Sequence, residues 1–248
     1  MKNKTKSLFF IIAAILLTGA GRLFWNTEET EKIKRCGEYL LSVPEPSGLA
    51  IAYDNKSLWT IGDGNSTVYN ITFSGKIIKK FKVTGVDLEG ISVIDENTIC
   101  VVQEARRELL FVDYTGKELN RVKIKFKGER NSGFEGISYD SKNKIYFIVN
   151  EKKPVTLITI NQYFEIINTQ KINAVKDLSD VFYDEKKELL WLVSDESNMV
   201  LKCKRDGTII QKYKVSIKQI EGICIDKENR FLYLVSDPEN KLYKFELK

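Results

Sequence analysis

Leu88-Glu89-Gly90-Ile91, Phe134-Glu135-Gly136-Ile137 and Ile220-Glu221-Gly222-Ile223 open three segments of the chain almost identically. Two looser copies are Pro46-Ser47-Gly48-Leu49 and Leu178-Ser179-Asp180-Val181. Aligned on residues 47, 89, 135, 179 and 221, the repeats are spaced by 42, 46, 44 and 42 residues. A fixed period of this size marks an architecture whose units bury their faces only against neighbours.

Each repeat follows one grammar. A short apolar run leads into a turn, as in Tyr53-Asp54-Asn55, Tyr139-Asp140-Ser141 and Tyr183-Asp184-Glu185. Asp and Asn suit such turns because their side chains bond the local backbone. A β-rich run follows: 57–61, 98–102, 145–149, 189–193 and 231–235. Then come a polar turn, an alternating strand such as Glu108 to Asp113, a turn marked by Gly75, Gly116 or Gly207, and a last alternating strand such as Ile77 to Val83. No helical period occurs beyond the N-terminus. Four antiparallel strands per unit, five times over, predict an all-β, five-bladed β-propeller.

The fifth repeat ends after its third strand. Glu38 to Val43, just before the first repeat, resembles the fourth strands elsewhere and is expected to complete the last blade. The propeller domain is then 37–248, with its ring closed by strand 38–43.

Lys2, Lys4 and Lys6 precede an apolar run from Leu8 to Ala20, and Leu23, Phe24 and Trp25 extend it past Arg22. A positive flank before a hydrophobic run reads as a membrane-targeting segment. Residues 1–25 are expected to form one hydrophobic helix, a signal anchor or transmembrane segment, with 26–36 as a tether. The propeller then lies on the extracytoplasmic side, periplasmic or at the cell surface, and is secreted if the segment is cleaved.

Apart from the four basic residues of that segment, the chain has 35 basic against 34 acidic residues. So balanced a charge excludes the basic field that nucleic acid needs. There is no histidine, which excludes Ser-His-Asp triads, His-ligated zinc and His acid–base chemistry. Cys36, Cys100, Cys203 and Cys224 have no CxxC spacing. They read as buried free thiols or, outside the cytoplasm, as disulfide partners.

Chemistry must therefore rest on oxygen. Successive strands of a blade are antiparallel, so the start of the first lies beside the end of the second. Two columns of residues meet there. The first is Ser47, Glu89, Glu135, Ser179 with Asp180, and Glu221; the second is Asp63, Glu104, Glu151, Asp195 and Asp237. First strands line the axis of a propeller, so these carboxylates should crowd one channel mouth. Like charges repel there and raise one another's pKa. Arg106, Arg107, Lys152, Lys153 and Lys241 in the adjoining turns are candidates to offset them, and so is a bound hard cation. An oxygen-only set suits calcium, with magnesium second, better than zinc. The competing structural readings are that second-column acids shape turns and that Glu89, Glu135 and Glu221 bond the backbone of a neighbouring blade. The glycine after each Glu is read as permitting close backbone approach.

Asp87-Leu88-Glu89-Gly90-Ile91, Phe134-Glu135-Gly136-Ile137, Asn150-Glu151-Lys152, Leu178-Ser179-Asp180-Val181, Ser194-Asp195-Glu196 and Glu221-Gly222-Ile223 together resemble the bacterial SdiA-regulated family over about 37–248. The resemblance implies a five-bladed propeller with a calcium site, in envelope proteins with an N-terminal hydrophobic segment. It is more distantly similar to NHL-repeat propellers and metal-dependent lactonases. It supplies no activity. Ser47 and Ser179 depart from a uniform acidic ring. Two functions follow: an envelope domain binding a divalent cation and, at the channel mouth, a protein or small molecule; or a metal-dependent hydrolase of a lactone or phosphoester.

Overall fold

A computed structural model describes residues 30–129, 132–228 and 230–247. The expected N-terminal helix over 1–25 and the first residues of the expected tether lie outside this range. Among the described residues no helix is long and apolar enough to cross a membrane.

The first three blades are β3 to β6 (Pro46–Ile51, Leu58–Gly62, Thr67–Ile71, Ile77–Lys82), β7 to β10 (Leu88–Val93, Thr98–Gln103, Glu108–Asp113, Glu118–Lys123) and β11 to β14 (Phe134–Asp140, Ile145–Asn150, Thr156–Ile160, Ile166–Lys171). The fourth is β15 to β18 (Asp180–Asp184, Leu189–Ser194, Met199–Lys204, Ile209–Lys214), and the fifth begins with β19 to β21 (Ile220–Ile225, Phe231–Ser236, Lys241–Glu246). Within these runs each strand pairs antiparallel with the next. First strands neighbour first strands around the axis, and β19 packs back on β3. The protein is an all-β five-bladed propeller.

Both faces of each blade are buried, and the period-2 alternation of strands explains how. Along β12, Tyr146 and Ile148 face the second blade while Phe147 and Val149 face the fourth. The core is accordingly five clusters, one at each blade junction, the last joining Tyr233 and Val235 to Leu49, Leu58 and Tyr69. Second strands need apolar side chains on both sides, so they read as continuous hydrophobic runs. The cysteines follow from this division. Cys100, Cys203 and Cys224 are buried in three different junctions and Cys36 is exposed, so all four are free thiols.

Ring closure differs in detail from the expectation. The strand that completes the fifth blade is β2, Lys34–Leu40, antiparallel to β21 with Leu40 opposite Lys241. It begins before 38 and stops before 43, because Leu41 and Val43 leave the edge and turn into the closing core. Part of the expected tether is also strand: β1, Thr30–Lys32, pairs parallel with Lys212–Lys214 of β18.

The contribution of this closure is open to measurement. A chain starting at Lys34 should melt within a few degrees of full length. One starting at Val43 exposes the edge of β21 and part of the closing core. It should melt more than about 10 °C lower, equivalent to roughly 3 kcal/mol for a domain of this size. Calorimetry of the two truncations checks this, and equal melting would show that the Velcro-like strand is dispensable.

Candidate functional site

The innermost strands approach one another closely. In four blades the first strand carries a β-bulge at the residue pair of the repeat signature, between Ser47 and Leu49, Leu88 and Ile91, Phe134 and Gly136, and Ile220 and Gly222. Bulges re-aim side chains. A Cβ added at Gly90 would lie 2.6 Å from the carbonyl oxygen of Glu135, and one at Gly136 would lie 2.5 Å from the Cα of Asp180. Gly48 and Gly222 are equally confined by the next blade. The fourth blade has Asp180 where the others have glycine, and its first two strands pair without a register shift.

Asp180 therefore leaves the set of expected cation ligands. It is fully buried on the axis rather than in the mouth. Its carboxylate accepts from the backbone N–H of Ile223 at 2.9 Å, of Leu49 at 3.3 Å and of its own neighbour Val181 at 2.8 Å. One side chain thus ties three blades together and stops the channel. Burial pushes its pKa up, against the three donors that pull it down.

The other eight expected residues come together. Glu89, Glu135, Glu221, Asp63, Glu104, Glu151, Asp195 and Asp237 line one cavity of about 490 Å³. Glu45 and Asp177 complete a set of ten carboxylates around it. These two, with Asp87, are acids that sequence reading missed. The signal was present: Glu45, Asp87 and Asp177 each lie two positions before the first column, and Glu45 and Asp177 precede the two serines that interrupt it. Backbone geometry made the difference. Glu45 and Asp87 have left-handed φ values of 46° and 59°, so the chain turns at the mouth instead of continuing a strand.

The columns have different roles from those expected of them as structural residues. Second-column acids, not the first-column glutamates, bond the backbone of the neighbouring blade. Asp63 accepts from Leu88 N–H at 2.9 Å and Glu104 accepts from Gly133 N–H at 2.8 Å. In the first column Glu89 accepts from Ser47 Oγ at 2.7 Å. Glu135 and Glu221 have no hydrogen-bond partner among the described residues. Two groups of three carboxylate oxygens lie within 4.8 Å of one another: Asp63, Asp87 and Glu89, and then Glu104, Glu135 and Glu151. Oxygens sharing a calcium ion, each about 2.3–2.6 Å from it, fall within this separation.

Cationic side chains do little to offset this charge. Of the five expected, only Lys152 reaches the mouth, at 2.6 Å from Glu151 and 2.7 Å from Glu196. Arg107 turns away to the carbonyls of Glu129 and Ser132, Lys153 pairs with Glu129, and Lys241 pairs with Glu38. Burial, reinforced by Asp63, Glu221 and Glu104, pushes Glu89 up to about 9 in spite of Ser47. Burial and the acids Asp195, Asp237, Asp177 and Glu151 push Glu221 up to about 7. Glu135 rises well above the usual carboxylate range for the same two reasons. Asp63, Glu104, Glu151, Asp195 and Asp237 are all raised, burial being the first cause in each.

With this geometry in view, relatives can be compared. The family model described as SdiA-regulated matches residues 42–246. The chain belongs to the SdiA-regulated family. Among solved structures, this SdiA-regulated chain is similar to glutaminyl cyclase of Myxococcus xanthus, at 12% identity and a TM-score of 0.69, over 88% of this chain and 99% of that one. It is also similar to a catalytically inactive virginiamycin B lyase of Staphylococcus aureus crystallised with quinupristin, at 18% identity and a TM-score of 0.53. There the match covers 82% of this chain and 66% of the lyase. Hydrazine synthase of Kuenenia stuttgartiensis matches at 13% identity and a TM-score of 0.54, over 79% of this chain and 56% of that one. At such identities the likeness is one of fold.

Raised carboxyl pKa values mean that the folded chain binds more protons than the unfolded one between about pH 4.5 and 9, so stability falls as pH rises through that window. In chelator, the melting temperature should drop steadily from pH 5 to pH 9. Glu135→Gln replaces a carboxyl whose proton affinity the fold raises with a neutral amide and should raise the pH 8 value. Asp180→Ala orphans buried N–H groups and should cost on the order of 3 kcal/mol at pH 5 and less as the pH rises, because it also removes a buried carboxyl whose pKa the fold raises. Melting curves of the three proteins decide the matter; a flat pH profile would contradict the electrostatic account.

Proposed function

We propose that the protein is an envelope-tethered propeller whose acidic mouth binds a hard divalent cation, calcium first and magnesium second. The observation that carries this reading is the mismatch of charge at the mouth. Ten carboxylates share one cavity, and among the described residues only the ammonium group of Lys152 pairs with one of them. A cation would return these acids to their ionised form and strengthen the ring by mass action. Only oxygen donors are present, and they come in flexible numbers, which suits calcium. Residues 1–25 would hold the domain to the membrane.

The cavity is larger than one ion needs. It leaves room for a ligand, protein or small molecule, bound to the cation. A metal-dependent hydrolase is the second reading. It would use a mouth carboxylate such as Glu221, ionised once the cation is bound, as the general base.

Calorimetric titration of chelator-stripped, full-length protein tests the first reading. Calcium uptake should be saturable, raise the melting temperature most at high pH, and weaken at least tenfold in Glu135→Gln. No heat and no shift at millimolar calcium would refute it. Turnover of lactones or phosphoesters that requires both added metal and Glu221 would favour the hydrolase.

A further inference from the structure

The other end of the axis has the opposite chemistry. Beyond the Asp180 plug the inner strands leave a recess of about 400 Å³. Its deep residues, Leu49, Ile91 and Val181, are each at most 2% exposed, and Ile51, Val93 and Phe182 are half-buried around them. Charged residues border it only at the outer ends of the first strands and in the turns that follow them, where Glu185 accepts from Ser141 Oγ and Lys142 N–H of the third blade. Asp184 accepts from the N–H groups of Lys186 and Lys187, and Asp226 from those of Arg230 and Phe231. A concave apolar site of this volume, closed at its base, lies in the range of small-molecule pockets.

Three observations say what fills it. First, β1 runs parallel to β18, so the N-terminal end of β1 points toward the end of that blade bearing the Asp206–Gly207 turn. By strand direction this is the recess end, not the acidic one. The hydrophobic run of the sequence stops at Trp25, five positions earlier. Second, the same end presents Tyr53 at the recess and Tyr163 in the β13–β14 turn, 55% and 73% exposed. Tyrosine favours the membrane interface. Third, the ten carboxylates occupy the opposite end, where an anionic bilayer would repel them least.

We propose that the apolar recess lies against the bilayer and binds the hydrocarbon chain of a single-chain membrane lipid. This rests on the membrane attachment proposed above, but not on cation binding. The propeller thus has two sites on one axis, an apolar one toward the membrane and an acidic one away from it, separated by Asp180.

The test uses full-length protein in phosphatidylcholine vesicles doped with a lysophosphatidylcholine that carries a diazirine at the end of its acyl chain. After illumination, peptide mass spectrometry should place adducts on the strand segments containing Ile51, Val93 and Phe182. Val93→Asp should reduce them at least tenfold. Val93→Trp, which fills the recess without adding charge, should do the same if the first variant is unstable. An unchanged melting temperature in each shows that the fold is kept. Flotation of the protein with the vesicles, but no adduct in the recess, overturns the proposal. So do adducts confined to residues 8–25, which would mean that the recess holds none of the lipid. If the protein fails to float, the attachment reading falls separately. Titration with monomeric lysophosphatidylcholine then decides the recess alone, and an absence of saturable binding overturns it.

Discussion

Around the axis of this propeller the backbones of five strands meet with no space for side chains between them at four positions. Everything else in the molecule answers to that crowding. Gly48, Gly90, Gly136 and Gly222 allow the approach. The bulges that accompany them turn the residue just before each glycine, Ser47, Glu89, Glu135 or Glu221, into the mouth. A wider ring would spread the same carboxylates and relax their mutual repulsion; this one compresses them, and burial then raises their proton affinity.

The fourth blade breaks the pattern with consequence. Asp180 occupies the place of a glycine, and its carboxylate replaces the missing backbone complementarity by accepting N–H groups from the fifth blade beside it and the first blade across the axis. The result is asymmetric. The axis is closed at one level, and the two ends become separate compartments, one lined by oxygen and one by hydrocarbon. The same residue type thus stabilises the ring in one place and strains it in another, according to whether N–H donors or other carboxylates surround it.

Outward from the axis, the junctions between blades are built from the two faces of each second strand. Five apolar clusters close a circle, and the circle needs β2 to finish it. The acids at the ends of two second strands add a polar latch: Asp63 and Glu104 each hold an N–H group at the start of the next blade. These residues serve stability and the mouth at once, which is why a sequence alone cannot separate a turn-shaping role from a ligand role.

The order of strands, the number of blades and the convergence of eight acids were legible in the sequence, because a repeat of fixed period carries its own alignment and strand polarity dictates which ends adjoin. The contribution of Glu45, Asp87 and Asp177 was not, since it depends on how the backbone enters each first strand, through a left-handed residue at Glu45 and Asp87. Nor could adjacency in sequence show that Asp180 points along the axis while Ser179 beside it faces the mouth. Which lysine reaches the acids, where β1 docks and how the far end of the channel is lined were decided by packing between blades. Periodicity reports what each unit shares with the others; only the assembled ring reveals what the units do to one another.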